Sequence, residues 1–165
     1  MKEKIKHYIK EIALFLIVMT IFANIISLYK SSDLNKNPLT LTNISLITGE
    51  KYALSQDKPT LIHIWAIWCP TCKVEASNIQ TLSEHYNVLT IAVKSGSNDD
   101  IQSWLKESEY TFNVVNDSSG FIASNFQVGV YPTTLIYDKD KNLIFSDVGY
   151  TSTIGLVLRM WWAGL

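Results

Sequence analysis

The two cysteines of the chain lie close enough in sequence to form a redox-active pair. Cys69 and Cys72 are separated only by Pro70 and Thr71, and they follow an apolar run. A disulfide between them closes almost no loop, so it would stabilise the fold very little. A tetrahedral metal site would need two more ligands, and the chain has no other cysteine. The spacing therefore leaves two chemistries open: disulfide exchange with other proteins, or a two-coordinate site for a soft metal such as copper.

The residues around the pair predict a strand that ends just before the cysteines and a helix that begins between them. Residues 60–66 form a nearly continuous apolar run, which is typical of a strand buried on both faces. Pro70 suits the first position of a helix, because the N–H that proline lacks would have no partner there. The helix is predicted over residues 70–86. Its predicted buried face carries Val74, Ile79 and Leu82. Cys69 would then lie where free N–H groups and the helix dipole favour a thiolate, and Cys72 would follow one turn later.

Strand and helix patterns alternate along the rest of the chain. Further strands are predicted at 41–47, 51–54, 88–93, 112–115, 133–137 and 143–148, and further helices at 99–107, 119–126 and 153–162. The first two strands form a hairpin before the first long strand, and the last two form a second hairpin. Alternation first and a hairpin last predict an α/β fold with a central mixed sheet and helices on both faces.

The first thirty residues predict a membrane anchor. Lysines at positions 2, 4, 6 and 10 precede eighteen uncharged residues, 12–29. A bilayer-spanning helix needs about 17–25 residues, and the excess of lysine before the run favours an N-terminus inside the cell. We therefore expect a cytoplasmic tail and transmembrane helix of the inner membrane over 1–30, a linker over 31–38 and a periplasmic domain over 39–165. A signal peptide removed after export is the alternative. The net charge of -1 argues against nucleic acid as a partner.

The sequence WAIWCPTC at residues 65–72 closely resembles the W-A-x-W-C-x-x-C signature of thioredoxin-fold proteins. The early hairpin, the Pro-first dipeptide and Glu75 are similar to the membrane-tethered TlpA/ResA/DsbE-like branch, and the resemblance covers about residues 40–165. The segments VKSGS, VVND and GYTSTIGLVLRMWW most resemble the copper-sensitivity-suppressor, ScsD-like, subgroup. The resemblance implies periplasmic thiol–disulfide exchange with partner proteins, in the reducing direction, with electrons from a DsbD-like or ScsB-like membrane reductase. No bound cofactor is expected, because a Cys69–Cys72 disulfide itself carries two electrons.

The resemblance also implies roles for residues near the pair. Cys69 would be the attacking thiol and Cys72 the resolving one. Pro132 matches the cis-proline that faces the cysteines in the family and leaves the backbone before it free to pair with an extended peptide. Glu75 would accept the proton of Cys72 during product release, with an ordinary solvated glutamate as the alternative. Most relatives carry a small aliphatic residue where this chain has Tyr131, so its substrate surface is expected to differ. The residues predicted to bind substrate are Trp68, Pro70, Thr71, Tyr131 and Thr133.

Two functions of other classes remain alternatives: a soft-metal (copper) binding module that uses the same thiolates, and a redox-inert interaction domain. His63 occupies the place of a buried aspartate in cytosolic thioredoxins, where it could relay protons near neutral pH. A satisfied core histidine is the more frequent case. Trp65 is predicted to lie in the core. Trp161 and Trp162 are predicted to pack the last helix rather than to contact a membrane interface.

Overall fold

The computed structural model describes residues 2–31, 34–35, 37–41, 44–55 and 57–165; in the first helix it describes the side chains of residues 6–15, 17–19, 21–22 and 25–27. The helices are α1 (Lys2–Ser31), α2 (Pro70–Ser83), α3 (Asn98–Glu107), α4 (Phe121–Asn125) and α5 (Thr153–Ala163). The strands are β1 (Ile44–Ser45), β2 (Lys51–Tyr52), β3 (Thr60–Trp65), β4 (Asn87–Val93), β5 (Val114–Asp117), β6 (Thr133–Tyr137) and β7 (Leu143–Val148).

A five-stranded mixed sheet with the order β5-β4-β3-β6-β7 forms the centre of the fold. Strands β3, β4 and β5 are parallel, whereas β6 and β7 run antiparallel to their neighbours. Every residue of β3 is buried, because apolar side chains cover both faces of the sheet. Leu61 and Trp65 share a hydrophobic cluster with residues of α2, α3 and α5. Ile62 and Ile64 share another with α4 and the segment before β1. The predicted α/β fold with helices on both faces is confirmed.

The N-terminal hairpin is confirmed but is shorter than predicted. Strand β1 pairs with β2 through Ile44 and Tyr52, and the backbone N–H of Ile47 donates to the carbonyl of Val114 at 2.9 Å. Residues 42–43 of the first predicted strand lie outside the described residues. Strand β5 begins two residues later than predicted, because Phe112 is buried in an aromatic cluster before the strand starts.

Helix α2 buries two of the three residues predicted for its inner face, Ile79 and Leu82. Val74 is exposed, so its assignment to the buried face is wrong. The buried residues of the helix are Cys72, Glu75, Ala76, Ile79 and Leu82. These positions follow the three- and four-residue spacing of one helical face. Val74 is two residues from Cys72 and therefore points away from that face.

Helix α1 contacts the edge strand of the sheet at its C-terminal end, where the N–H of Val148 donates to Ser27 Oγ at 3.0 Å. In the part of the chain that the structure describes, no helix has an apolar stretch long enough to cross a bilayer. The predicted transmembrane helix is therefore not confirmed. Within the predicted linker, Leu34 is buried and the N–H of Asn35 donates to the carbonyl of Phe126 at 3.1 Å. This part of the linker thus packs against the domain.

Candidate active site

The cysteine pair lies where β3 gives way to α2. Cys69 is the N-cap of α2, and Pro70 occupies the first helical position, as the sequence predicts. The two cysteines are joined by a disulfide with a Cα–Cα distance of 5.2 Å, and the N–H of Cys72 donates to Cys69 Sγ at 3.2 Å. Cys69 is 6% exposed and Cys72 is 0% exposed. Only the first sulfur is therefore within reach of another molecule.

The loop before β6 approaches the same sulfur. The peptide bond between Tyr131 and Pro132 is cis, and the carbonyl oxygen of Tyr131 lies 3.7 Å from Cys69 Sγ. Pro132 is buried, and its carbonyl accepts a hydrogen bond from the N–H of Gly149 at 2.8 Å. The Thr133 hydroxyl donates to the carbonyl of Val130 at 2.8 Å and is buried, so its side chain faces the protein interior. The structure thus brings the predicted proline and the cysteines together.

Exposed residues surround Cys69 with an apolar surface. Trp68 is 56% exposed, and its Nε1 donates to the carbonyl of Lys94 at 3.0 Å. Its ring meets that of Tyr131 edge-on, with centroids 5.8 Å apart and planes at 83°. Pro70 and Thr71 are also exposed at the start of α2. This surface carries four of the five residues predicted to bind substrate, Trp68, Pro70, Thr71 and Tyr131.

Glu75 lies one turn after Cys72 on the buried face of α2 and is fully buried. Its Oε1 accepts a hydrogen bond from the N–H of Thr151 at 3.1 Å, whereas its Oε2 has no hydrogen-bond partner among the described residues. Burial raises the pKa of Glu75 to about 8; the Thr151 amide opposes this rise, and the charge of Asp147 adds to it. Glu75 is therefore not the solvated glutamate of the alternative interpretation.

An ion pair that the sequence analysis missed lies beside Glu75. Arg159 of α5 contacts Asp147 of β7 twice, with Nη2 3.0 Å from Oδ1 and Nε 2.9 Å from Oδ2. Burial raises the pKa of Asp147, and Arg159 opposes that rise. The only cue in the sequence is that a charged residue interrupts each of two mostly apolar elements.

His63 lies in the core of the fold, outside the site. His63 is buried with Nδ1 3.0 Å from Thr134 Oγ1, and burial lowers its pKa to about 3. It is therefore uncharged at neutral pH, as expected of a core histidine rather than a proton relay.

Trp65 is buried against Trp104, with ring centroids 4.9 Å apart, which confirms its place in the core. Trp161 and Trp162 are exposed, so the prediction that they pack the last helix is wrong. The residues that pack it are Leu156, Met160 and Ala163.

The described residues offer no cluster of metal ligands beyond the two cysteines. Within the described ranges, no three or more histidine, cysteine, aspartate or glutamate side chains lie close enough together to hold a metal ion. The soft-metal alternative therefore rests on the two sulfurs alone.

Comparison with known proteins places this site in a family. Residues 37–146 match the AhpC/TSA family. A thioredoxin-like protein of Haemophilus influenzae is 34% identical over 128 residues, which cover 77% of this chain and 76% of that protein. The thiol:disulfide interchange protein DsbE of Escherichia coli is 34% identical over 99 residues, or 58% of this chain and 52% of DsbE. The crystal structure of StoA from Bacillus subtilis superimposes with a TM-score of 0.65 at 20% identity, and the match covers 78% of this chain and 99% of StoA. The chain therefore belongs to the AhpC/TSA family and is a thiol–disulfide oxidoreductase with a thioredoxin-like fold and a CxxC pair.

Proposed function

We propose that the chain reduces disulfides of partner proteins through Cys69 and Cys72. The observation that carries this proposal is the unequal placement of the two sulfurs. Cys69 reaches the surface beside the cis-proline loop, whereas Cys72 is buried one turn deeper in α2. The helix N-terminus and the Cys72 amide favour a thiolate at Cys69. Cys69 is thus the attacking thiol and Cys72 the resolving one.

The reaction takes two displacement steps. The Cys69 thiolate attacks one sulfur of the partner disulfide, forms a mixed disulfide and releases the other partner sulfur as a thiolate. Cys72 then loses its proton and attacks Cys69 Sγ, which restores the Cys69–Cys72 disulfide and releases the second partner thiolate. The partner gains two electrons, and the chain returns to the oxidised state. A dithiol donor must then reduce the pair again, and a DsbD-like or ScsB-like membrane reductase is our proposed donor.

Glu75 is similar in position to the glutamate of reductive relatives, and this resemblance supports the proposed direction. It lies within one turn of Cys72 on the same helical face, where side chains three positions apart are neighbours. A carboxylate there would take the proton from Cys72 as the mixed disulfide is resolved, which speeds the second step. The pKa of about 8 lets Glu75 exchange a proton close to neutral pH, as general acid–base catalysis requires.

The substrate surface is proposed to combine apolar side chains with backbone pairing. Trp68 and Tyr131 offer an apolar contact beside the sulfur, and Pro70 and Thr71 border it at the helix start. The backbone before Pro132 is placed to pair with an extended segment of the partner. Thr133 contributes indirectly, since its buried hydroxyl holds the loop through Val130.

Trapping of a covalent intermediate tests the exchange mechanism. Cys72→Ala removes the resolving thiol, so mixed disulfides between Cys69 and its partners should accumulate in cells and disappear on treatment with dithiothreitol. Cys69→Ala is the matched control, because the remaining sulfur is buried and should trap nothing. If Cys72→Ala traps no partner, or if both variants trap partners equally, the proposed mechanism is wrong.

The cellular setting is a proposal that rests on the sequence. The uncharged run at 12–29 and the lysines before it support attachment to the inner membrane with the catalytic domain in the periplasm. Extraction of cell membranes with alkaline carbonate tests this, because an anchored chain stays in the pellet.

The segments VKSGS, VVND and GYTSTIGLVLRMWW support the ScsD-like subgroup. The first of them contributes the Lys94 carbonyl that accepts the Trp68 hydrogen bond.

A further inference from the structure

We propose that the Asp147–Arg159 ion pair controls how readily Glu75 releases and takes up its proton, an inference that rests on the proposed role of Glu75 in the reaction. Asp147 and Arg159 are positioning residues, because they act on Glu75 and form no hydrogen bond or ion pair with the sulfurs of Cys69 and Cys72 among the described residues.

The register of the sheet places Asp147 in the layer below α2. His63 of β3 is opposite Thr134 of β6, and Thr134 is opposite Asp147 of β7. Residues opposite each other on neighbouring strands point to the same face, so the three side chains form a polar row across the sheet. The row shares its face with Leu61 and Trp65, the face against which α2 and α5 pack. Glu75 enters this layer from α2, and Arg159 enters it from α5.

The contacts hold the charges of this layer in fixed positions. Arg159 is anchored by two contacts to Asp147, and its Nη1 also donates to the carbonyl of Gly155 at 3.0 Å. The Nη2–Oδ1 contact is a hydrogen bond, whereas the Nε–Oδ2 contact is an ion-pair contact only, because Oδ2 accepts no hydrogen bond among the described residues. Glu75 is held through Thr151, whose carbonyl in turn accepts a hydrogen bond from Asn78 Nδ2 at 3.0 Å. The Glu75 carboxyl group therefore cannot move away from the pair without breaking contacts between α2 and the loop before α5.

The two members of the pair are expected to act on Glu75 with opposite sign. The negative charge of Asp147 disfavours ionisation of Glu75. Arg159 forms an ion pair with Asp147, so its positive charge should offset part of that effect. The other titratable groups that face Glu75 do not replace either charge. His63 is uncharged because burial lowers its pKa to about 3, and Cys72 lies on the same helix as Glu75 and carries no charge in the disulfide. Removal of the Asp147 charge should therefore lower the pKa of Glu75, and removal of the Arg159 charge should raise it.

Titration of the Glu75 carboxyl carbon by NMR in the full-length, ¹³C-glutamate-labelled chain tests the inference directly. Glu75→Gln assigns the resonance. Asp147→Asn should lower the Glu75 midpoint by about one pH unit, and Arg159→Gln should raise it by about one unit. Arg159→Lys keeps a positive charge and should bring the midpoint back toward that of the wild type. Asp140→Asn, in the exposed turn between β6 and β7, is the matched control and should leave the midpoint unchanged.

The pH dependence of glutathione release after reaction of the reduced chain with oxidised glutathione is the second readout. Its midpoint should follow the NMR midpoint from variant to variant. If Asp147→Asn fails to fold, the double variant Asp147→Asn/Arg159→Gln replaces it, because it removes both charges without leaving one unpaired. The two removals act in opposite directions. The NMR midpoint of the double variant should therefore fall below that of Arg159→Gln. An unmoved NMR midpoint, or shifts of the same sign in both single variants, overturns the inference. Release kinetics that do not change in Glu75→Gln would instead overturn the proposed role of Glu75 and leave the NMR result to decide the electrostatic claim.

Discussion

Replacement of Glu75 by glutamine is expected to change how the stability of the oxidised chain depends on pH. Glu75 is fully buried, and burial raises its pKa from 4.5 to about 8. Between these two pH values the folded chain holds a proton that the unfolded chain has released. The contribution of Glu75 to the free energy of unfolding is therefore complete below pH 4.5 and is lost as the pH rises toward 8.

The size of this loss follows from the difference between the pKa values of Glu75 in the folded and unfolded chains. The difference between about 8 and 4.5 corresponds to at most about 5 kcal/mol between acid and alkaline conditions. Glutamine has nearly the same shape and keeps an oxygen that can accept the hydrogen bond from the Thr151 N–H. Its amide group, however, takes the place of Oε2, which has no hydrogen-bond partner among the described residues. We therefore expect Glu75→Gln to be slightly less stable than the wild type at pH 5 and clearly more stable at pH 9.

Urea unfolding of the oxidised full-length chain in mild detergent at pH 5, 7 and 9 measures this difference. Glu84→Gln is the matched control, because Glu84 is an exposed carboxylate at the end of the same helix. The free energies of the control and the wild type should change in parallel with pH. If Glu75→Gln also runs parallel to the wild type, the carboxyl group is ionised in the folded chain at low pH, and both its raised pKa and its proposed use as a proton acceptor near pH 8 are refuted.

Two further predictions concern residues around the site. His63→Gln should leave the pH midpoint of glutathione release unchanged between pH 5 and 8, because a pKa of about 3 keeps His63 uncharged there; a shifted midpoint would assign His63 a part in proton transfer. Trp68→Ala should raise the KM for a protein disulfide several-fold and lower the free energy of unfolding by less than about 1 kcal/mol, as expected of a surface side chain. Trp161→Ala is its control, since Trp161 is 58% exposed but lies at the end of α5, and equal effects of the two variants would contradict a docking role for Trp68.

Local signals explain why much of the fold was predictable. The apolar run at 60–66 could only be buried, and Pro70 marks the start of α2 in both the sequence and the structure. The turn before β7 and the hairpin before β3 are also marked by polar and glycine residues. The start of β5 was missed because Phe112 has the residue type of a strand but packs against Trp65, which is distant in sequence, and against its near neighbour Tyr110. Its place is decided by packing rather than by propensity.

Trp161 and Trp162 show the opposite failure. Large aromatic residues are more often buried than exposed, so the sequence favoured packing for both. In the structure, Leu156 and Met160 fill the space under α5, and the spacing of four residues between them fixes the buried face. The tryptophans fall outside that face. Size and apolarity predict burial only when helical phase agrees with them.

The same argument explains Glu75, whose burial is a consequence of where Cys72 lies. A resolving cysteine must face the sheet to be protected, and a residue three positions later on a helix faces the same way. A glutamate in that position is therefore buried whether or not the protein can stabilise it. What the sequence could not show is the set of groups that makes this burial tolerable and adjustable. The Thr151 amide, Asp147 and Arg159 come from a loop, a strand and a helix at the other end of the chain, and only the register of β6 with β7 brings them below α2. The helix thus places a carboxyl group one turn from the buried thiol, and we propose that the distant hairpin adjusts the pKa that burial raises.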